Sequence, residues 1–203
     1  MMQMIKGIDI ILYNAEGIAE TVRNVLVGEP TENGFVLAIP KGDIHNWLDA
    51  KVEFFGRIFR TVGFPKEGIE DNIPLVWNKQ VSVLQLSTNT NLTLYEKDTY
   101  IQHIFKDVLF VDNRGKIVNK TGEQVKGNAE INIYAPNITD NYIPKIGDIV
   151  VGGDCDFAFD TSSQQAVSES FKTFRKEYPK YAVISSVSQT INAVKSDYKI
   201  IAG

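Results

Sequence analysis

Two histidines and one cysteine are the only imidazole and thiol groups in the chain. His45 and His103 lie far apart in sequence, and neither has another His or Cys close by. A zinc site needs three or four converging N or S ligands, so a His-based site within one chain is effectively ruled out. His45 sits in Gly42-Asp43-Ile44-His45-Asn46-Trp47, which reads as a turn leading into a strand, and His103 beside Ile104 and Phe105 reads as structural. Asp154, Asp156 and Asp160 gather carboxylates around Cys155 but lack the regular ligand spacing and closing Glu of a calcium loop. They read as a solvated strand end, and Cys155 as a small inert side chain. Gly152-Gly153 is followed by no Gly-Lys-Ser/Thr and opens no helix, so it is not a phosphate loop. No nucleophile elbow occurs. These observations predict a protein that is not an enzyme and that holds no metal and no cofactor.

Whatever such groups do, strands must position them. Short apolar runs recur at Ile8–Tyr13, Val22–Val27, Phe35–Ile39, Val52–Phe55 and Val81–Leu86. They resume at Leu92–Tyr95, Val108–Val111, Glu130–Tyr134, Ile149–Val151, Tyr181–Val187 and Tyr198–Ile201. Gly, Pro, Asn and Asp punctuate them, the pattern of a mainly β sandwich or barrel. The two series match in order. Ile10-Ile11-Leu12-Tyr13 parallels Leu92-Thr93-Leu94-Tyr95, and Asn24-Val25-Leu26-Val27 parallels Asp107-Val108-Leu109-Phe110. Val36–Pro40 parallels Asn132–Pro136, and Lys51–Gly56 parallels Gly147–Gly152. The reading is two tandem related small β-barrel or sandwich-like domains, 1–88 and 89–203, divided in the polar run Ser87-Thr88-Asn89-Thr90-Asn91.

The halves differ twice. The second carries the insertion Asp112–Asn128 where the first has only Gly28–Gly34. It is polar and Gly-containing, a mobile loop or an extended hairpin in which Ile117, Val118 and Val125 could pair. Its charged residues Asp112, Arg114, Lys116, Lys120, Glu123 and Lys126 make it the candidate gating or docking loop, with an uncontacted solvent loop as the alternative. The second half also holds the one long helix, about 163–178. Thr161-Ser162-Ser163-Gln164 has capping-box spacing, Val167, Phe171, Phe174 and Tyr178 share a face, and Pro179 stops it.

Charge narrows the partners. The net charge is −4; residues 1–88 carry 8 basic and 11 acidic side chains, and 89–203 carry 13 and 14. Neither half has the basic excess that grips nucleic acid. No run approaches the ~20 apolar residues that cross a bilayer, and the N-terminus lacks the pattern of a signal peptide. A single cysteine forms no intramolecular disulfide, which fits assembly in a cytoplasm.

One stretch is more specific. Val25–Pro30, then Leu37-Ala38-Ile39-Pro40-Lys41-Gly42-Asp43-Ile44-His45-Asn46-Trp47, with Val52–Gly56, Phe59–Pro65 and Ile73–Lys79, resembles the minor capsid or head–tail connector proteins of siphophages of Gram-positive bacteria. The likeness covers roughly Ile5–Leu86. Gly28–Gly34 is shorter than the corresponding connection in that family, so no contact of a longer loop carries over. The second half, through Leu92–Tyr95, Tyr142–Gly152 and the end of the chain, more weakly resembles a phage neck-associated domain family with no assigned activity. The resemblance implies small β-barrels in a ring on the portal complex, acting as stopper or adaptor between head and tail, with no catalytic residues. It implies a cyclic homo-oligomer that meets the portal or adaptor ring and tail proteins. Double-stranded DNA would pass without specific binding, and the protein would sit in the virion neck after assembly in the host cytoplasm. A tail terminator or tail completion protein is the alternative, since both are small β-rich ring formers.

Overall fold

The structure is a computed structural model that describes residues 6–14, 17–32, 34–68, 76–114, 116–118, 124–138 and 142–203. Two compact units emerge: residues up to Leu86 together with Ile191–Ser196, and Ser87–Thr190 together with Asp197–Gly203. The sequence pattern had placed 191–196 in the second domain; the structure assigns that turn to the first unit.

The first unit contains β1 (Ile8–Tyr13), β2 (Ala19–Pro30), β3 (Gly34–Pro40), β4 (Lys51–Phe54), β5 (Arg57–Glu67) and β6 (Trp77–Gln85). They close into a barrel in the order β1-β2-β3-β6-β5-β4, every neighbour antiparallel. The second unit contains β7 (Thr90–Tyr95), β8 (Gln102–Asp112), a hairpin of β9 (Lys116–Val118) and β10 (Gln124–Lys126), β11 (Ala129–Ile133), β12 (Ile149–Gly152), helix α1 (Gln164–Glu177), β13 (Ala182–Ile191) and β14 (Ser196–Ala202). Its barrel closes as β7-β8-β11-β14-β13-β12, the same ring order. The fold is mainly β, with related tandem barrels and the single long helix in the second.

The relation extends to individual pairs. Ile8 pairs with Val25 and Ile10 with Val22; Thr90 pairs with Val108 and Leu92 with Phe105. Each pair of strands bulges at the residue between, Asn24 and Asp107, both left-handed with φ 58° and 50°. In each bulge a side-chain oxygen of β1 or β7 holds the odd N–H: Asp9 Oδ1 accepts from Asn24 N at 3.1 Å, and Asn91 Oδ1 from Asp107 N at 3.3 Å. The bulge carbonyls are also taken, by Trp77 Nε1 at 2.8 Å and Asn137 Nδ2 at 2.8 Å. A bulge leaves an unpaired residue, and Asn and Asp tolerate the left-handed region better than most, so these residue types fit the geometry.

In the third and fourth strands the correspondence shifts by two residues from the sequence match. Leu37 lies opposite Val81 as Ile131 lies opposite Ile200, and Leu12 opposite Val52 as Leu94 opposite Val150. A two-residue slip keeps every side chain on its face and is invisible to a period-two pattern. β5 is a strand that the apolar runs did not mark. Gly63 and Pro65 interrupt its pattern, and its register with β6 shifts between Val62 and Lys66, where an irregularity accommodates both.

Inward-facing residues fill both barrels. In the first, Ile10, Leu12, Val25, Leu37, Ile39, Val52 and Val81 surround Phe59. In the second, Leu92, Leu94, Val108, Ile131, Ile133, Val150 and Ile200 surround Phe105. Val22 and Phe59 of the first barrel correspond to Phe105 and Ala182 of the second, so one large ring is kept but moved to another strand. That exchange keeps one ring in each core, with Ala standing opposite the ring in the second where the first has Val.

Candidate functional site

The segment with the most specific sequence, Lys41–Trp47, folds against the end of the first barrel. Trp47 is buried in the core and donates Nε1–H to Asp43 Oδ2 at 2.7 Å. Asp43 Oδ1 lies 2.5 Å from His45 Nδ1, and Lys79 Nζ donates to the Asp43 carbonyl at 3.3 Å. His45 Nε2 is 3.6 Å from Glu20 Oε2. The carboxylate thus binds a ring on each oxygen and fixes the loop that seats Trp47. His45 acts there as a structural group.

His103 has an analogous setting in the second unit. Its ring stacks on Tyr142 at 4.0 Å between centroids, and its Nε2 lies 2.9 Å from Glu96 Oε1. Tyr142 donates its hydroxyl to Asp148 at 2.9 Å, and Asp148 also accepts from the N–H groups of Lys145 and Lys97. Burial first, and then the Asp148 bond, hold the Tyr142 phenol well above its usual range. Hydrogen bonds from Thr99 and His103 lower the Glu96 carboxyl.

The acidic residues around Cys155 do not converge. Asp154 accepts from Asn91 Nδ2, Asp156 from the Tyr178 hydroxyl, and Asp160 from Ser162 N. Among the described residues no group of three or more His, Cys, Asp and Glu side chains could hold a metal ion. Among them, too, no helix is long and apolar enough to cross a membrane. Cys155 is buried, with its Sγ 3.1 Å from the Tyr95 hydroxyl, which donates to the Phe157 carbonyl at 2.8 Å.

The insertion Asp112–Asn128 contains a formed hairpin: Val118 pairs with Gln124, Ile117 with Val125 and Lys116 with Lys126. Lys120 and Glu123 lie outside the described residues. The root of the insertion is fastened by Arg114. Its Nε and Nη2 donate to the two Asp112 oxygens at 2.8 and 2.9 Å, while Nη1 and Nη2 donate to the carbonyls of Tyr181 and Lys180 at 2.6 and 2.5 Å. That bidentate ion pair pulls the Asp112 carboxyl down to about 2. Of the six candidate residues, Asp112 and Arg114 come together as an anchor, and Lys116 and Lys126 face each other across the hairpin backbone.

Strand directions place the β8–β11 and β12–β13 connections at the same end of this barrel, since β7 with β8, β8 with β11, β7 with β12 and β12 with β13 all pair antiparallel. Both additions to the second unit therefore emerge together, and Arg114 ties one to the other. Beside this tie lies a groove of about 460 Å³ whose lining includes Phe110, Val151, Gly152, Tyr178, Pro179 and Tyr181 and the charged Asp112, Arg114, Glu177 and Lys180. The helix begins at Gln164 with Ser163 as its cap, the Ser163 Oγ accepting from Ala166 N at 3.1 Å. The capping-box spacing had pointed to Thr161. Ser163 has extended backbone angles and lies one residue before the first turn, as a cap must.

Two residues escaped the sequence reading. Asp49, 6% exposed, accepts from Asn192 Nδ2 and from the N–H groups of Ala193, Val194 and Lys195, all in the turn that completes the first unit. No local pattern announces such a long-range clamp. Phe55 occupies the two-residue turn between Phe54 and Arg57, left-handed at φ 52° and 65% exposed. The only local signal was Gly56 after the apolar run Val52–Phe55, because the strand that follows was not marked.

Comparison with curated proteins and with solved structures returns no match. Over residues 87–203, more than half its length, the chain matches the profile of a family of unknown function (DUF6751), and it belongs to that family.

Proposed function

We propose that the chain is a non-enzymatic structural subunit of a tailed-phage particle, forming a ring at the head–tail connection between the portal or adaptor ring and the tail proteins. The observation that carries this reading is the pair of closed barrels with one strand order in a single chain. A ring subunit needs rigid blocks with loops at their ends for its neighbours, and repeated barrels supply them. The residues that carry the likeness to connector proteins support it as well. Asp43, His45 and Trp47 are joined to one another, and to Glu20 and Lys79, at a barrel end. Both halves are weakly acidic and offer DNA phosphates no basic track, which suits passage of double-stranded DNA without retention by the wall.

Locating the chain in intact particles by electron microscopy tests the reading. Density at the portal is the expected result. Density along or at the end of the tail tube would replace it with the terminator or completion role, and turnover of a small molecule by the purified protein would replace it with an enzyme.

The insertion Asp112–Asn128 is the element that reaches the channel or an adjacent ring. Deleting residues 115–126 while keeping Arg114 preserves the anchor on Lys180 and Tyr181. Particles that lose packaged DNA would identify a gate, and filled heads without tails would identify a dock. Normal infectious particles would reject both.

A further inference from the structure

Phe55 is a costly residue where it stands. The two-residue connection Phe55-Gly56 joins β4 to β5 with both φ angles positive, 52° and 67°, the conformation in which Asn-Gly or Asp-Gly is favoured. A bulky side chain there is a genuine outlier. The ring gains one edge contact with Phe54, at 5.3 Å between centroids, and is otherwise presented to solvent at the tip of the barrel. Strain at an exposed aromatic, with so little local return, marks a side chain kept for a partner.

The second unit carries a receptor of suitable kind. Its groove of about 460 Å³ lies in the size range of formed binding pockets and has aromatic and apolar walls in Phe110, Tyr178, Pro179 and Tyr181. Gly152 lies under the Phe110 wall, whose ring sits 3.4 Å from where a Cβ would be. Charge permits the contact: Asp112 and Arg114 at the groove neutralise each other, and of the other two charges that line it, Glu177 and Lys180, exposed Glu177 can take exposed Arg57, which directly follows the Phe55-Gly56 turn. A knob on one unit and a groove on the other, both on the same chain, make a head-to-tail contact that repeats from copy to copy and closes into a ring when the rotation permits.

We propose that the Phe55-Gly56 turn of one copy inserts into the groove between Phe110 and Tyr181 of a second copy of this chain, with Arg57 facing Glu177. This rests on the ring reading above and names the contact that builds it.

The test uses the full chain. Phe55→Asn installs the favoured turn pair, so it should hold or raise the thermal midpoint while weakening self-association in sedimentation by more than about tenfold, as loss of a central aromatic anchor does. Gly152→Phe, whose side chain would displace the Phe110 ring from the groove wall, should weaken association equally. For contacts too weak to sediment, Arg57→Cys chains mixed with Glu177→Cys chains should give a disulfide-linked heterodimer that neither gives alone, and adding Phe55→Asn to the first should abolish it. Association unchanged in Phe55→Asn, or no heterodimer from the mixture, would overturn the contact. The position of the chain in particles is read separately, so a heterodimer from a protein absent from the neck would retain the contact and reject the role.

Discussion

The same patch of barrel wall is built in two opposite ways. On the outer face of β1 and β4, Tyr13 lies beside Lys51 and Glu53: its hydroxyl donates to Glu53 Oε2 at 2.8 Å, and Lys51 Nζ sits 4.8 Å from the ring centre. The corresponding residues of β7 and β12 are Tyr95, Ile149 and Val151. There the tyrosine is buried, and α1 lies over the wall through Phe174, with Phe157, Phe159, Phe171, Tyr178 and Tyr181 packed around it. The tyrosine is shared and its neighbours decide its fate. Two charged residues keep one face solvated; two aliphatic ones demand a cover. The long β12–β13 connection, which replaces the two-residue Phe55-Gly56 turn, supplies that cover. Burial, with the Cys155 bond second, pushes the Tyr95 phenol up, whereas Tyr13 keeps a carboxylate partner.

The largest expected effect lies in that cover. Phe174 is fully buried and contacts the Tyr95, Phe157, Phe159 and Tyr178 rings. Phe174→Ala should cost the second unit about 3–5 kcal/mol, measured by denaturant unfolding. Tyr13→Ala on the half-buried wall should cost the first unit only about 1–2 kcal/mol. Comparable losses at both positions would break the distinction between covered and open wall.

A second contrast lies at the start of the fourth strand, where both units bury an aspartate. Asp148 is satisfied by Tyr142, Lys145 and Lys97, all within reach of its own barrel loops. Asp49 draws its donors from residues 192–195, more than a hundred positions later. Asp49→Ala takes that acceptor from part-buried N–H groups of the turn and should cost about 1–2 kcal/mol. Hydrogen exchange at Ala193, Val194 and Lys195 should accelerate with it, while the amides of Lys97 and Lys145 stay protected. Unchanged exchange at the turn would remove Asp49 as its holder.

Much of this was legible and some was not. The duplicated order of Ile10–Tyr13 with Leu92–Tyr95, and of Asn24–Val27 with Asp107–Phe110, could be read because strand alternation and bulge residues are local. The two-residue slip in β3 and β4 could not, because it changes no face. β5 was missed because Gly63 and Pro65 mimic a loop where they mark an irregular stretch of strand. Val167, Phe171, Phe174 and Tyr178 identified the helix face, yet the face they cover was set by Ile149 and Val151 across the fold. Of the candidate loop, its hairpin was foreseeable from Ile117, Val118 and Val125. The anchoring of Arg114 on the Lys180 and Tyr181 carbonyls depends on a long-range approach that no spacing encodes.

The paired bulges offer a smaller and sharper comparison. Asn24 and Asp107 share a left-handed backbone, and Asn24 Oδ1 also accepts from Gly7 N at 3.1 Å. Alanine at either position should cost about 1–2 kcal/mol through strain, with glycine recovering most of it. Because Asn24 has the extra bond, Asn24→Gly should recover less than Asp107→Gly. Equal recovery would show that Gly7 contributes nothing to the first bulge.

The smallest effect is a pH dependence confined to one unit. The Arg114 guanidinium holds Asp112 at about 2, below its ordinary value of 3.8. A carboxyl lowered on folding adds stability that is complete above its unfolded value and fades as pH falls toward the folded one, so the window runs from about pH 4 down to about pH 2. The Asp112 side chain is 34% exposed, so solvent screening limits its share to about 0.5 kcal/mol. Asp112→Asn should lower the stability of the second unit by roughly that amount at pH 7 and by progressively less near pH 2. Glu96 and Asp160 are lowered as well, so the acid slope should shrink without vanishing. Thermal unfolding at pH 7, 4 and 2.5 measures it. A constant difference between variant and native chain across that range would mean that the Asp112 charge is not what stabilises the root of the insertion.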